Sequence, residues 1–341
     1  MYLVVVVFLD ALVAAGQGVP ALKEEAPTTL RSTTRLVVVP TLVKTASGEL
    51  VEGLSASDFR VFDNGVEQKV FVEEVERQPL AVVVLLQTGG AAARQFQNYR
   101  NLSTMLDYMM GSSSHKVAMM TFDSQTEDTW RFTSEVDDLK EGLEHPKSGD
   151  GGAAIIDAVD EAIDLLKKQP VTSRHIILLF SQPQDDGSAE KAEDVVRRLG
   201  ENNITIYSVT FSPEKTWLKD QFTKPRHGNP PYQLTPTEPP LIGTFDIGTP
   251  LAVALKAMRT DAAGEIARLS GGEHVRFGEK RDLERQLSVL ANHIPNRYTL
   301  SFRPTSDAPG YHEIKVRVVN HPEATDVAAR TSYWPAEVKA N

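Results

Sequence analysis

Three short stretches of this chain carry side chains that could do chemistry together. Gln87-Thr88-Gly89 closes one apolar run, Asp123-Ser124 closes a second, and Gln182 to Asp185-Asp186 follows a third. Carboxylates from Asp123, Asp185 and Asp186, joined by hydroxyl and amide oxygens, are the donors a hard divalent cation such as Mg2+ or Ca2+ takes. Without a cation, the same polar, glycine-containing loops make a surface for another protein. Nucleophilic catalysis has less to work with. The chain has no cysteine, and its 8 histidines, among them His115, His145 and His175, are scattered without metal-ligand spacing. No G-x-S-x-G, H-E-x-x-H or P-loop occurs, so no nucleophile-base pair is legible. GDGGAA (149–154) follows HPKS rather than an apolar strand, which removes the strand-turn-helix context of a dinucleotide loop.

For the three loops to meet, the runs before them must lie side by side. AVVVLL (81–86), VAMMTF (117–122), HIILLF (175–180) and ITIYSVTF (204–211) are apolar with little alternation, the pattern of strands buried on both faces of a parallel sheet. Between them the period changes to that of helices. Phe96, Tyr99, Leu102, Leu106 and Met109 recur at helical spacing, AAIIDAVDEAIDLLKK (153–168) is amphipathic, and AEKAEDVVRRLG (189–200) reads as a helix with Gly200 at its C′ position. Helices resume near 251–269 and 280–292 around a short strand, HVRF (274–277). The alternation predicts an α/β fold, a doubly wound, mostly parallel, Rossmann-like sheet. Ligands of such sheets gather beyond the carboxyl ends of the strands, which is where the three loops fall.

The flanks read as β. RLVVVPTLVKT (35–45) is a strand that Pro40 places at an edge or bulge, and DFRVFDNGVEQKVFVEEV (58–75) is a hairpin about Asn64-Gly65. RYTLSF (297–302), YHEIKVRVV (311–319) and VAARTSYW (327–334) complete the set. Each group is too small to stand alone, so residues 34–78 and 296–341 are expected to pair into one β-sandwich, with 79–295 inserted into it. Residues 212–250 hold six prolines between Pro225 and Pro240 and form a long irregular excursion. Residues 1–33 read as a signal-like segment and linker. The apolar stretch MYLVVVVFLDALVAA is too short for a span but suits an export signal, despite Asp10 and the lack of a basic start.

Composition narrows the partners. With 36 Lys and Arg against 46 Asp and Glu, the formal net charge of -10 speaks against nucleic acid and against an anionic membrane surface. Asn101-Leu102-Ser103 and Asn203-Ile204-Thr205 match glycosylation sequons by pattern alone.

The succession RLVVVPTLV, LSASDFRVFDNGVEQKV, AVVVLLQTGG, VAMMTFDS, GDGGAAIIDAV, HIILLFSQPQDDGS and RYTLSFRP resembles a von Willebrand factor A domain, and more specifically the von Willebrand factor A-related family described from Acidobacteria. The resemblance covers nearly the whole chain after residue 33. It implies a metal-ion-dependent adhesion site made of D-x-S-x-S, a Thr from a second loop and an Asp after a third strand. On this chain those positions hold Gln87, Gly89, Ala91, Ala153 and Gln182, so every expected ligand has changed. Neutral amides are weak donors to Mg2+.

Two readings follow. In the first, the chain is a metal-independent, non-catalytic interaction or adhesion module with no cofactor, whose rim of Gln87, Thr88, Gly89, Asp123, Ser124, Gln182, Asp185 and Asp186 meets a protein partner. In the second, it is a metal-dependent adhesin whose Mg or Ca site is rebuilt from Asp123, Asp150, Asp185 or Asp186. Otherwise those acids are solvated loop residues and caps, with Asp150 at a helix entry. The first reading expects Thr88 and Gln182 exposed. Its rival surface is strand 35–45, open to β-addition at Val39 or Thr41.

Overall fold

The computed structural model describes residues 36–73, 78–111, 113–211, 249–306 and 308–335. The signal-like segment and all but the last two residues of the 212–250 excursion lie outside them. The first strands are β1 (Val37–Lys44), β2 (Phe59–Asp63), β3 (Val66–Gln68) and β4 (Val70–Glu73). β2 and β3 form the hairpin that Asn64-Gly65 predicts. Asp63 pairs with Val66, and both turn residues have positive φ, 48° and 82°, as a two-residue turn of this hand requires.

The central sheet contains β5 (Leu80–Gln87), β6 (His115–Phe122), β7 (Thr126–Thr133), β8 (Arg174–Ser181), β9 (Ile204–Phe211) and β10 (His274–Phe277), in the order β10-β9-β8-β5-β6-β7. All neighbours run parallel except β6 and β7. The described helices are α1 (Leu102–Met110), α2 (Lys140–Glu144), α3 (Ile155–Leu166), α4 (Ala192–Glu201), α5 (Thr249–Ala257), α6 (Ala262–Leu269) and α7 (Lys280–His293). Every residue of β5 and β9 is buried, which accounts for the unbroken apolar run 80–86 of β5 and the mainly apolar one of β9, where Thr205, Ser208 and Thr210 are buried as well. Alternate residues of β5 serve two layers. Ala81, Val83 and Leu85 pack with α3, α4 and α6, whereas Val82, Val84 and Leu86 pack with α1 and α7.

Several local expectations are corrected. The run through Phe96 and Met109 is not one helix: Gly90–Tyr99 is a 3-10 segment, and α1 begins at Leu102. Three residues per turn put Phe96 and Tyr99 on one side, and Tyr99 packs edge-on to Phe180 with ring centroids 6.1 Å apart. Gly200 is not a C′ residue. It lies within α4, which ends at Glu201, and Asn203 takes the left-handed conformation at φ 52°. Strand β7 escapes sequence reading because TEDTWRFT lies on the sheet edge, with none of its residues buried and two register shifts against β6.

The last strands are β11 (Tyr298–Phe302), β12 (His312–Val318), β13 (Asp326–Ala329) and β14 (Ser332–Tyr333). They pair with the first ones as two four-stranded antiparallel sheets, β13-β1-β11-β4 and β14-β12-β2-β3. Val39, Val43, Phe59, Val61, Leu300, Phe302 and Ile314 from both sheets share one core. The described residues all belong to one compact unit, residues 35–341. β1 is therefore not an edge. It lies between β11 and β13, with Val39 and Thr41 fully buried, so β-addition there is ruled out. Pro40 is tolerated where the strand changes partner: β11 spans Val37–Thr41, and the ladder with β13 starts only at Thr41. The stretch 327–334 is likewise two strands in different sheets. They are separated at Arg330, whose buried guanidinium donates to Val38 O at 3.2 Å, Asn203 Oδ1 at 2.9 Å and Ile204 O at 3.4 Å.

Candidate functional site

The three loops singled out in the sequence do meet. β5 has β6 on one side and β8 on the other, so its connections leave toward opposite faces, and the crevice beyond its carboxyl end is the place where doubly wound sheets take ligands. Here that crevice is closed. Gln87 is fully buried and its amide joins the two loops: Oε1 accepts from the Gln182 backbone N–H at 2.7 Å, and Nε2 donates to Gly89 O at 2.9 Å and Gln182 Oε1 at 3.3 Å. Gln182 Nε2 donates onward to Gln184 O at 3.0 Å. Both amides are thus committed to protein partners.

A second layer of closure comes from the Gly149–Gly152 loop. Gly149 N–H donates to Thr88 O at 3.1 Å, Gly90 N–H to Asp150 O at 2.8 Å, and Asp150 N–H to Asp123 Oδ2 at 2.9 Å. The loop lies so close that a Cβ on Gly89 would stand 2.3 Å from Gly152 O, and one on Gly149 2.6 Å from Asp123 Oδ2. Close approach to the first two loops is the reason for glycine at 149 and 152, though not at 151, where a Cβ would meet nothing within 4 Å; GDGG was the one sequence signal that could have revealed it. Thr88, expected exposed, is 2 % exposed. Its hydroxyl lies 2.9 Å from Phe122 O and 3.0 Å from Glu127 Oε2, with one proton for both. Gln182 is half-buried, and Gly89 and Asp123 are buried. Four of the eight rim residues, Gln87, Thr88, Gly89 and Asp123, therefore lie buried and position the loops: Gln87 and Thr88 bond to the ends of neighbouring strands, and Gly89 and Asp123 pack against the 149–152 loop.

The remaining acids are employed differently from expectation. Asp150 does not cap α3. Its carboxylate accepts from Ser124 N–H at 3.1 Å, Ser124 Oγ at 2.5 Å and Gly152 N–H at 2.7 Å, and the Ser124 hydroxyl above all holds its pKa below the usual carboxylate value. The cap of α3 comes from across the crevice: Asp185 Oδ1 and Ser188 Oγ accept from Ile156 N–H at 3.0 and 3.1 Å. Asp157 returns the contact by accepting from Ala189 and Glu190 N–H. Asp186 bridges Ala153 through its backbone in both directions at 2.9 Å and leaves its carboxylate exposed. Glu127 was not foreseen. Partial burial raises its pKa, the Thr88 hydrogen bond opposes this, and the nearby Asp123 charge raises it further.

The residues present do not fit the divalent ion of an adhesion site. Gly89, Ala91 and Ala153 offer no side-chain oxygen, the Gln87 and Gln182 amides are committed, and Asp185 is occupied as a cap. Among the described residues no group of three or more His, Asp or Glu is placed to hold a metal ion. The scattered histidines stay apart, with His175 Nε2 3.2 Å from Pro170 O and His115 Nδ1 2.9 Å from Ser113 O. Of the sequon asparagines, Asn203 is engaged by Arg330 and Asn101 precedes α1. No described helix is long and apolar enough to cross a membrane.

No protein-family model matches the chain, and no curated protein matches it. Among solved structures it is similar to an aerotolerance-related membrane protein from Bacteroides fragilis, at 16% identity over 62% of this chain and 98% of that one, with TM-score 0.39. It is also similar to proximal thread matrix protein 1 of the mussel byssus, whose metal-ion-dependent adhesion site holds zinc, at 10% identity over 69% of this chain and half of that one, with TM-score 0.42. A third is the von Willebrand factor domain of the type V pili tip protein Mfa5 from Porphyromonas gingivalis, at 14% identity over 32% and 39% of the two chains, with TM-score 0.28. These likenesses are coarse. The strand order with its single antiparallel edge is compatible with a von Willebrand factor A-like fold.

Proposed function

We propose that this chain is a non-catalytic, exported protein-binding module of the adhesion type that holds its partner without a metal ion. On this reading residues 79–295 form the A-like domain, inserted into a β-sandwich built from 34–78 and 296–341. The observation that supports it is the Gln87–Gln182 clamp, which joins directly two loops that an ion would otherwise bridge. The contact surface is then the exposed part of the rim, Ser124, Asp150, Gln184 and Asp186 with Gly90 and Gly187, carried on loops fixed by the buried residues beneath. Loops held by a rigid scaffold lose little entropy on binding, which favours recognition there.

The test is capture of the partner from the native source on the immobilised full chain, in the presence and absence of EDTA. Capture should survive chelation and be lost with Gln184→Arg and Asp186→Arg, whose side chains are exposed, at unchanged Tm. Loss in EDTA, together with a micromolar Mg2+ or Ca2+ dissociation constant by calorimetry, would turn the reading to a rebuilt metal site using Asp123, Asp185 or Asp186. Capture that survives both substitutions removes the rim as the contact surface.

A further inference from the structure

The outer backbone groups of a strand that ends a sheet have no ladder partner, and proteins blunt such edges with charge, bulges or brevity. Most edges of this chain are blunted. β7 carries Glu127, Asp128 and Arg131 and two register shifts, β10 carries Arg276, β13 opens on Asp326, and β3 and β14 are three and two residues long. β4 is the exception. It ends the sheet β13-β1-β11-β4, its ladder with β11 runs without a shift from Val70 to Glu73, and no described strand lies beyond it. Val70 and Val72 pack into the sandwich core, which leaves Phe71 on the other face, 43 % exposed. Lys69 stands next to it, exposed, with its Nζ 5.5 Å from the centre of the Phe71 ring.

The sequence of this edge is complementary to itself. Lys69-Val70-Phe71-Val72-Glu73 is apolar at its centre and carries opposite charges equally far from Phe71 on either side. When two copies pair antiparallel about Phe71, Lys69 of each falls opposite Glu73 of the other, Val70 opposite Val72, and Phe71 opposite Phe71. A parallel pairing in register would set like charges side by side, and an unrelated strand has no reason to match both charges at this spacing. Charge therefore selects a second copy as the occupant. The contact is isologous and closes at two copies. We propose that two copies of this chain pair antiparallel through β4 about Phe71, joining their four-stranded sheets into one continuous sheet. A pairing five residues long spans only about 17 Å, short of the ~1,200 Å2 of stable interfaces, so the dimer is weak and depends on concentration.

The test is sedimentation velocity of the full chain from micromolar to near-millimolar concentration. The wild type should pass from monomer to dimer without larger species, as a closed pairing requires. Lys69→Glu and Glu73→Lys should each raise the dissociation constant about tenfold by setting like charges in opposition. An equimolar mixture of these two variants should dimerise as the wild type does, because each offers the charge the other lacks, and the variant carrying both changes should do so alone. A wild type that stays monomeric throughout, a dimer indifferent to either single change, or a mixture no better than its components overturns the proposal. Should a single variant not fold, the double variant, expected dimeric, and Phe71→Asp, expected monomeric, decide.

Discussion

The resemblance to the adhesion site sets Gly89 against a serine, and the structure states what a side chain there would meet. Its φ of -83° is ordinary for any residue, so no backbone strain enters. The obstacle is space. An added Cβ lies 2.3 Å from Gly152 O and 2.6 Å from Asp123 Cβ, and an ordinary contact of 3.4 Å requires the Gly152 carbonyl to withdraw by about 1.1 Å. That movement disturbs the Gly152 N–H to Asp150 bond at 2.7 Å and the Gly90 N–H to Asp150 O bond at 2.8 Å. Gly89→Ala should therefore destabilise by about 1–3 kcal/mol, the usual cost of overpacking. At roughly 2–4 °C per kcal/mol, Tm falls by roughly 2–12 °C. Gly151→Ala is the matched control, since a Cβ there meets no atom within 4 Å and its φ is not positive, and it should leave Tm unchanged. Differential scanning calorimetry of the three proteins decides the matter. Equal Tm values for Gly89→Ala and Gly151→Ala would refute the claim that the 149–152 loop is packed onto the first loop.

Glu273 provides a pH test: burial alone would raise its pKa, but the His293 hydrogen bond and the charges of Arg297 and Lys44 outweigh it and hold it at about 2, against 4.5 unfolded. This stability is present above pH 4.5 and is lost as pH falls toward 2. Glu273→Gln should therefore lose on the order of 3 kcal/mol relative to wild type at pH 7 and less as pH falls from 4.5, read by urea unfolding across that range. Arg330→Ala leaves Val38 O, Asn203 Oδ1 and Ile204 O short of a donor and should cost about 3 kcal/mol in urea unfolding at pH 7; a loss under 0.5 kcal/mol would contradict the bridging role. Gln87→Ala empties a fully buried position and strips the Gln182 N–H of its acceptor, for a loss of roughly 2–4 kcal/mol by the same measurement.

How much of this was legible follows from what each residue must satisfy. β5, β8 and β9 can be read from sequence because burial on both faces favours apolar residues in runs with little alternation, and the Asn64-Gly65 turn because its backbone angles admit few others. β7 cannot, since an edge strand exposed to water imposes no such pattern. The positions of Gln87 and Gln182 were readable, but their pairing was not, because an amide suits a surface loop as well as a buried clamp. Thr88 misled for a related reason: a small hydroxyl beside glycines resembles a turn residue until Phe122 O and Glu127 are found beside it.

On the proposed reading, amides stand where an ion-binding rim of this kind has carboxylates, and this changes how the rim works. Acidic loops around an ion repel one another when it leaves, so their arrangement and affinity depend on cation supply. Gln87 and Gln182 are neutral and complementary, donor to acceptor in both directions, so the first and third loops attract without a third party. The second loop is tied in by its backbone, through Ala154 N–H to Asp123 O at 2.7 Å and Gly149 N–H to Thr88 O at 3.1 Å. On that reading the rim keeps one arrangement with and without cations. On the proposed reading its affinity for a partner is set by the exposed side chains alone, and it gives up the gating that a removable ion supplies in exchange for a surface already formed before the partner arrives.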